Sequence, residues 1–239
     1  MQRSIFFRDI SDALEILRSH IRLPYLLPLI GMLLFVICYV VAAGLYPGGS
    51  WNDLAQPGFS WRHNYLCDLL DARAVNGMLN TGKYWARAAL AFLCLGLMVL
   101  WYHLPLLTKG PAWFRNLLRY SGMGALGAMV FLRADTHDLT VRIAGVFGLV
   151  ALSLLLFGLW KQGHKIFVFL GGWCLGMFLV NYTIYETGDF VYWLPLIQKI
   201  TFLSFIVWFV WMDVFLWQRK TGLRDLIRGD NPQKNKSNP

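Results

Sequence analysis

Hydrophobic and polar positions along the chain alternate in long blocks rather than at short period. Runs of about 20 apolar residues, the length that crosses a bilayer as a helix, cover Pro24–Tyr46, Tyr84–Leu107, Phe114–Leu132, His137–Trp160, Ile166–Tyr185 and Tyr192–Trp217. Short polar or Gly/Pro breaks separate them: Pro47-Gly48-Gly49-Ser50, Lys109-Gly110-Pro111, Arg133-Ala134-Asp135-Thr136, Lys161 to Lys165, and Glu186-Thr187-Gly188-Asp189. Only the first connection, residues 47–83, is long, and within it Leu66, Leu69, Leu70 and Val75 predict a short amphipathic helix.

Residues 1–23 are too charged to cross a membrane. Ile10, Leu14, Leu17 and Ile21 recur on one helical stripe flanked by Arg8, Arg18 and Arg22. This predicts an amphipathic helix lying on the cytoplasmic membrane surface. The block 24–217 reads as one transmembrane domain and 218–239 as a basic cytoplasmic tail, without fixed structure after about Gly229. The predicted fold class is therefore all-α: a polytopic integral membrane protein, a six-transmembrane-helix bundle with an N-terminal amphipathic interfacial helix.

Composition agrees with this pattern. Hydrophobic residues make up 57% of the chain and charged residues 15%, against about 25% charged in an ordinary soluble domain. The formal charge of +9 needs no nucleic acid to explain it, and no nucleic-acid-binding motif is present. Fifteen of the 22 Lys and Arg residues fall in the N-terminal segment, the second and fourth connections and the tail. By the positive-inside rule these are cytoplasmic, which places both termini inside and the protein in the inner (cell) membrane. Residues 47–83 and the turns at Asp135 and Glu186 then share the outer face. Cys38, Cys94 and Cys174 lie inside apolar runs, so only Cys67 is outside one, and no disulfide framework follows.

The outer face collects unusual polar residues from three segments. The first loop supplies His63, Asn64, Asp68, Asp71 and Asn80; the second turn supplies Arg133, Asp135, His137, Asp138 and Arg142; the third region supplies Asn181, Glu186, Asp189, Gln198 and Lys199. Charged groups this close to hydrocarbon are costly, and they commonly mark function. An outward-facing polar pocket results as the reading. In it His63, Asp68 and His137 are the candidate catalytic acid–base residues. Asn64, Asn80, Arg133, Asp135, Asp138, Arg142, Glu186 and Lys199 are the candidate ligand-binding residues.

Local readings stand beside this one. Asp135 and Asp138 fit a helix cap; Asp138 and Arg142 are spaced for a helical ion pair. Asn64 and Asp68 share a helix face that could simply be solvated, and Lys199 is long enough to snorkel. No paired-His motif is present, so no metal is assigned and the cofactor is unknown.

The element His63-Asn64-Tyr65 with Asp68, followed by Asn76-Gly77 and Asn80, and His137 at the start of the fourth run, resembles a family of uncharacterised bacterial and archaeal six-span membrane proteins. That family is a domain of unknown function, distantly similar to the DRAM/Sfk-like membrane proteins. Where this family often has Ser before the Asp, this chain has Cys67. The resemblance implies six spans and a lipid-related role. The expected partners are membrane lipids, other membrane proteins through glycine-rich faces such as Gly172-x-x-x-Gly176, and no nucleic acid. Three functions remain open: binding or modifying a lipid headgroup or small amphiphile, serving as a non-catalytic subunit or assembly factor, and transporting a small solute. Whether the protein is an enzyme stays undecided at this point.

Overall fold

The computed structural model describes residues 23–132 and 136–221. The expected amphipathic helix before residue 23, Arg133, Asp135 and the tail after residue 221 lie outside the described residues. Six long helices dominate: α1 (Leu23–Gly44), α2 (Lys83–His103), α3 (Ala112–Met129), α4 (His137–Lys161), α5 (Lys165–Thr187) and α6 (Leu194–Thr221). Short 3-10 turns at Leu104–Leu107 and Val191–Trp193 continue α2 and lead into α6.

Five segments are long and apolar enough to cross a membrane: Pro24–Gly44, Lys83–Leu107, His137–Lys161, Lys165–Thr187 and Val191–Arg219. The run expected at Phe114–Leu132 is not among them. The helix it forms, α3, has 18 residues, about 27 Å of rise, but Arg115, Asn116 and Arg119 occupy its first two turns. Arg119 turns back to donate from Nε to the Tyr102 carbonyl at 3.0 Å.

Consecutive helices pack on one another, and α6 returns to pack on α1, so the chain closes into a ring. The connections Leu104–Pro111 and Gln162–His164 lie at one end together with Lys109, Arg115, Lys161 and Lys165, here the basic end. The long loop lies at the other, the cap end. Towards the basic end the middle of the ring is filled by Leu118, Leu155, Leu159, Trp208, Met212 and Leu216, all at most 1% exposed. Burial of such side chains contributes roughly 1.5–3 kcal/mol each in water; between helices in lipid, close fit matters more. Glycine supplies that fit, since a Cβ at Gly122 would enter the ring of Trp101 and one at Gly171 would enter that of Trp208.

The loop is not the amphipathic helix its leucines predict. An antiparallel hairpin, β1 (Gly48–Ser50) and β2 (Asp53–Pro57), comes first. A 3-10 turn at Cys67–Leu70 follows, and an isolated bridge between Arg73 and Leu79 closes around the Asn76-Gly77 turn. Leu66, Leu69 and Leu70 are buried as their spacing requires, but hydrogen bonds to distant residues replace helical ones. At Gly49, φ is +83° and the Asn76 backbone sits where a Cβ would go, so only glycine allows the hairpin to dock there. The result is a folded cap.

Candidate functional site

The cap is built around Asn64, which is fully buried. Its Nδ2 donates to the Gly49 carbonyl at 2.7 Å and to Asp68 Oδ2 at 3.0 Å. Its Oδ1 accepts from Gln56 Nε2 at 3.0 Å and from the Ser60 N–H at 2.9 Å. Asp68 Oδ2 also accepts from the Tyr65 N–H at 2.9 Å, and the carboxylate from the Trp51 side chain. Asn64 and Asp68 thus share a face as their spacing predicts, but that face points into the cap and not to solvent.

Three helices grip this unit. From α1, the Tyr39 hydroxyl donates to the Leu66 carbonyl at 3.0 Å. From α2, Arg87 Nε donates to the Leu70 carbonyl at 3.1 Å. From α6, Gln198 Oε1 accepts from the Leu66 N–H at 2.9 Å, and Lys199 Nζ donates to the Asn64 carbonyl and, at 2.9 Å, to that of Pro195. Asn80, also fully buried, spends its Nδ2 on the Leu69 and Asp71 carbonyls, both at 3.0 Å, while its Oδ1 has no partner. Asn80 is therefore a strut of the cap, with one acceptor left over.

Lys199 is the chemically unusual member. Its ammonium lies half-buried, held by main-chain carbonyls and 5.6 Å from the Phe59 ring centroid. Among the described residues no carboxylate lies within ion-pair distance of it, although Asp68 and Cys67 are within electrostatic reach. Three ammonium protons with two carbonyl acceptors leave one donor uncommitted. Elsewhere on the cap, Arg62 lies over the rings of Tyr192 and Trp193, at 6.0 and 5.4 Å, and Tyr192 Oη lies 3.4 Å from His63 Nε2. His63 therefore sits at the rim of the cap, next to the start of α6.

The remaining described candidates form a second cluster where α4 meets α5. His137 Nδ1 is 3.0 Å from Asp138 Oδ1, and the same oxygen accepts from the Tyr185 hydroxyl at 2.6 Å. Arg142 Nη2 donates to Glu186 Oε1 at 3.3 Å. The helical spacing of Asp138 and Arg142 predicts that they pair with each other; instead each finds a partner on α5. The cluster is open, with the Asp138 side chain 69% and that of Arg142 60% exposed, so its ion pairs stabilise little. His137 still gains something from it: an oriented imidazole whose Nε2 faces away from the carboxylate, the arrangement of a positioned base.

His63, Asp68 and His137 therefore do not form one triad. Asn64, Asp68, Asn80 and Lys199 belong to the cap with His63 beside them, whereas His137, Asp138, Arg142 and Glu186 form the α4–α5 cluster. Tyr39, Tyr185 and Tyr192 are the contributors that sequence reasoning missed, because a tyrosine in an apolar run reads as hydrophobic until its hydroxyl finds a partner. Among the described residues no group of three or more His, Cys, Asp or Glu is arranged to hold a metal ion. Two apolar grooves, one along Ile206, Val210 and Val214 and one around Leu27, Met98 and Met123, face outward and include none of the candidates.

Burial pushes the Cys67 thiol up to about 12, with Asp68 and Asp71 adding to the shift, so Cys67 is no ready nucleophile. Burial also raises the Asp68 carboxyl above its ordinary value of 3.8, against the hydrogen bonds from Asn64 and Tyr65. The native state then binds that proton more tightly than the unfolded chain does. The contribution of Asp68 to stability is complete below the ordinary carboxylate range and is lost as pH rises through the raised native value. Asp68→Asn keeps an acceptor for Tyr65 and Trp51 and removes the titration. Thermal melts taken from about pH 4 to about pH 7 should decline for the parent and flatten in this variant; equal slopes would reassign the effect.

No protein-family model, curated protein or solved structure matches the chain.

Proposed function

We propose that the protein is a six-span inner-membrane protein, with α3 completing the bundle and the basic end in the cytoplasm, whose outer end binds the headgroup of an anionic lipid or small amphiphile. One observation carries this reading. Lys199 is a half-buried cation hydrogen-bonded to two neutral carbonyls, with a donor to spare. An anionic oxygen on that free donor would make a charge-assisted hydrogen bond in a half-buried setting, where such bonds are strong. Of the three acid–base candidates, His63 and Asp68 belong to the cap with Lys199, whereas His137 stands in the separate α4–α5 cluster. The likeness of the His63–Asn80 element to six-span proteins with lipid-related relatives points the same way.

The test is native mass spectrometry after exchange into vesicles of phosphatidylglycerol and phosphatidylcholine. The parent should retain phosphatidylglycerol selectively. Lys199→Met should lose at least about tenfold in that retention, equivalent to about 1.4 kcal/mol, and Lys199→Arg should restore most of it. Equal retention by Lys199→Met, or no preference in the parent, would remove this reading.

A second reading, a subunit that assembles through α5, has its own support. Gly172 and Gly176 are exposed with open space at both Cβ positions, and α5 is the least covered of the five apolar segments. The same spectra would show it as a second copy or a retained protein partner.

A further inference from the structure

Asp213 lies near the basic end of α6 and plays no part in the cap or the α4–α5 cluster. It is fully buried, and neither carboxyl oxygen has a hydrogen-bond partner. Its nearest turns on α6 supply Phe209, Met212 and Leu216, all buried. An ionised carboxylate without a counter-charge or donor is the costliest side chain a helix can hold in an apolar interior. A carboxylic acid that carries its proton avoids most of that cost. Apolar residues are also what surrounds the equivalent point of a packed core, so Asp at this position stabilises nothing that Leu would not stabilise better. Its presence calls for a ligand, and the smallest one that removes the charge is a proton.

The position on α6 adds a second fact. Asp213 follows Lys199 by fourteen residues, which is about 21 Å along the helix and within about 40° of the same face. Between them on that face stand Phe202, Ile206 and Phe209. Phe202 stacks on Phe35 at 6.3 Å and Phe209 meets Trp101 edge-on at 6.1 Å. The two unusual ionisable groups of α6 thus lie on one face and are insulated from each other by aromatic rings.

We infer that Asp213 is an exchangeable proton-binding site in the basic half of the bundle, cut off from the polar cap end by the aromatic residues of α6 and their partners on α1 and α2. Losing the proton leaves a charge that requires water or a cation, so proton loss and a local opening of the packing around Asp213 are one event. This is a device for coupling a proton to a conformational change, and it does not depend on whether the cap end binds lipid.

Infrared spectroscopy of the full chain in lipid tests it. The parent should show the carbonyl stretch of a protonated carboxylic acid that is missing from Asp213→Asn, and that band should shift when the sample is moved from water to D2O. Should Asp213→Asn not fold, Asp213→Glu serves instead, moving the band rather than deleting it. A spectrum with no such band shows an ionised group with a hidden partner and overturns the inference. A band that stays unshifted after prolonged exchange shows a static acid and overturns it equally.

Discussion

Asn64→Ala should lower the thermal stability of the protein by about 3 kcal/mol or more, the sum expected when four hydrogen bonds, two buried and two half-buried, each contributing roughly 0.5–1.5 kcal/mol net, disappear together. The figure is large because the partners are stranded as well. The Gly49 carbonyl is part of a buried strand, and the Asp68 carboxyl is itself buried, so neither recovers its loss in water. The Ser60 N–H and the Gln56 amide, both half-buried, recover part of theirs. Removing Asn64 disconnects the hairpin from the 3-10 turn, and the cap should loosen before the helices do. Limited trypsin digestion gives the local readout, because Arg62 and Arg73 are both exposed on the cap and both should become faster cleavage sites. Asn64→Asp separates the donor role from the acceptor role: it keeps acceptors for Ser60 and Gln56 and sets a second carboxylate against Asp68. It too should destabilise, with the deficit shrinking at low pH. A variant that melts and is cleaved like the parent would mean that the cap is held from elsewhere.

Much of the helical frame is legible in the sequence because a bilayer imposes one length on everything that crosses it. The run beginning at His137 and the break at Glu186-Thr187-Gly188 reappear as the start of α4 and the end of α5. Legibility falls where local pattern competes with distant partners. Leu66, Leu69 and Leu70 signal burial correctly, yet the backbone around them is set by Tyr39, Gln198 and Lys199, the last two more than 130 residues away. No local pattern encodes such a bond. Lys199 illustrates the limit well. Its length allows it to snorkel, yet it is held half-buried by main-chain carbonyls and not by the acids that charge pairing suggests. Arg142 likewise finds Glu186 across the α4–α5 contact in preference to Asp138 one turn away. The candidate site shows the same division. Residue types are visible in the sequence; the split into a folded cap and an open α4–α5 cluster is tertiary.

Glycine shows that division most sharply and leads to the second large effect. The Gly172-x-x-x-Gly176 face, expected to meet other membrane proteins, has open space at both Cβ positions within this chain. Glycines that bring two helix backbones together include Gly31 and Gly96, one from each of α1 and α2, and neither belongs to that pattern. A Cβ on Gly31 would stand 2.6 Å from the Phe92 carbonyl oxygen and 3.0 Å from the Gly96 Cα; one on Gly96 would stand 3.1 Å from the Gly31 Cα. All three obstacles are backbone, so no side-chain rotation relieves them and the helices must separate. Separation weakens the most extensive helix pair in the bundle and moves Tyr39 and Arg87, which hold the cap. Overpacking against movable side chains costs about 1–3 kcal/mol; against backbone, Gly31→Val should reach or exceed the top of that range. Gly31→Ala should cost less and Gly96→Ala least, its closest approach being longer. Thermal melts in one detergent should rank the proteins in that order, and the Gly31 variants should also show faster trypsin cleavage at the cap, because the damage travels along α1 and α2. A Gly31→Val protein that melts with the parent would show that α1 and α2 do not approach this closely, and the link from the helix pair to the cap would go with it.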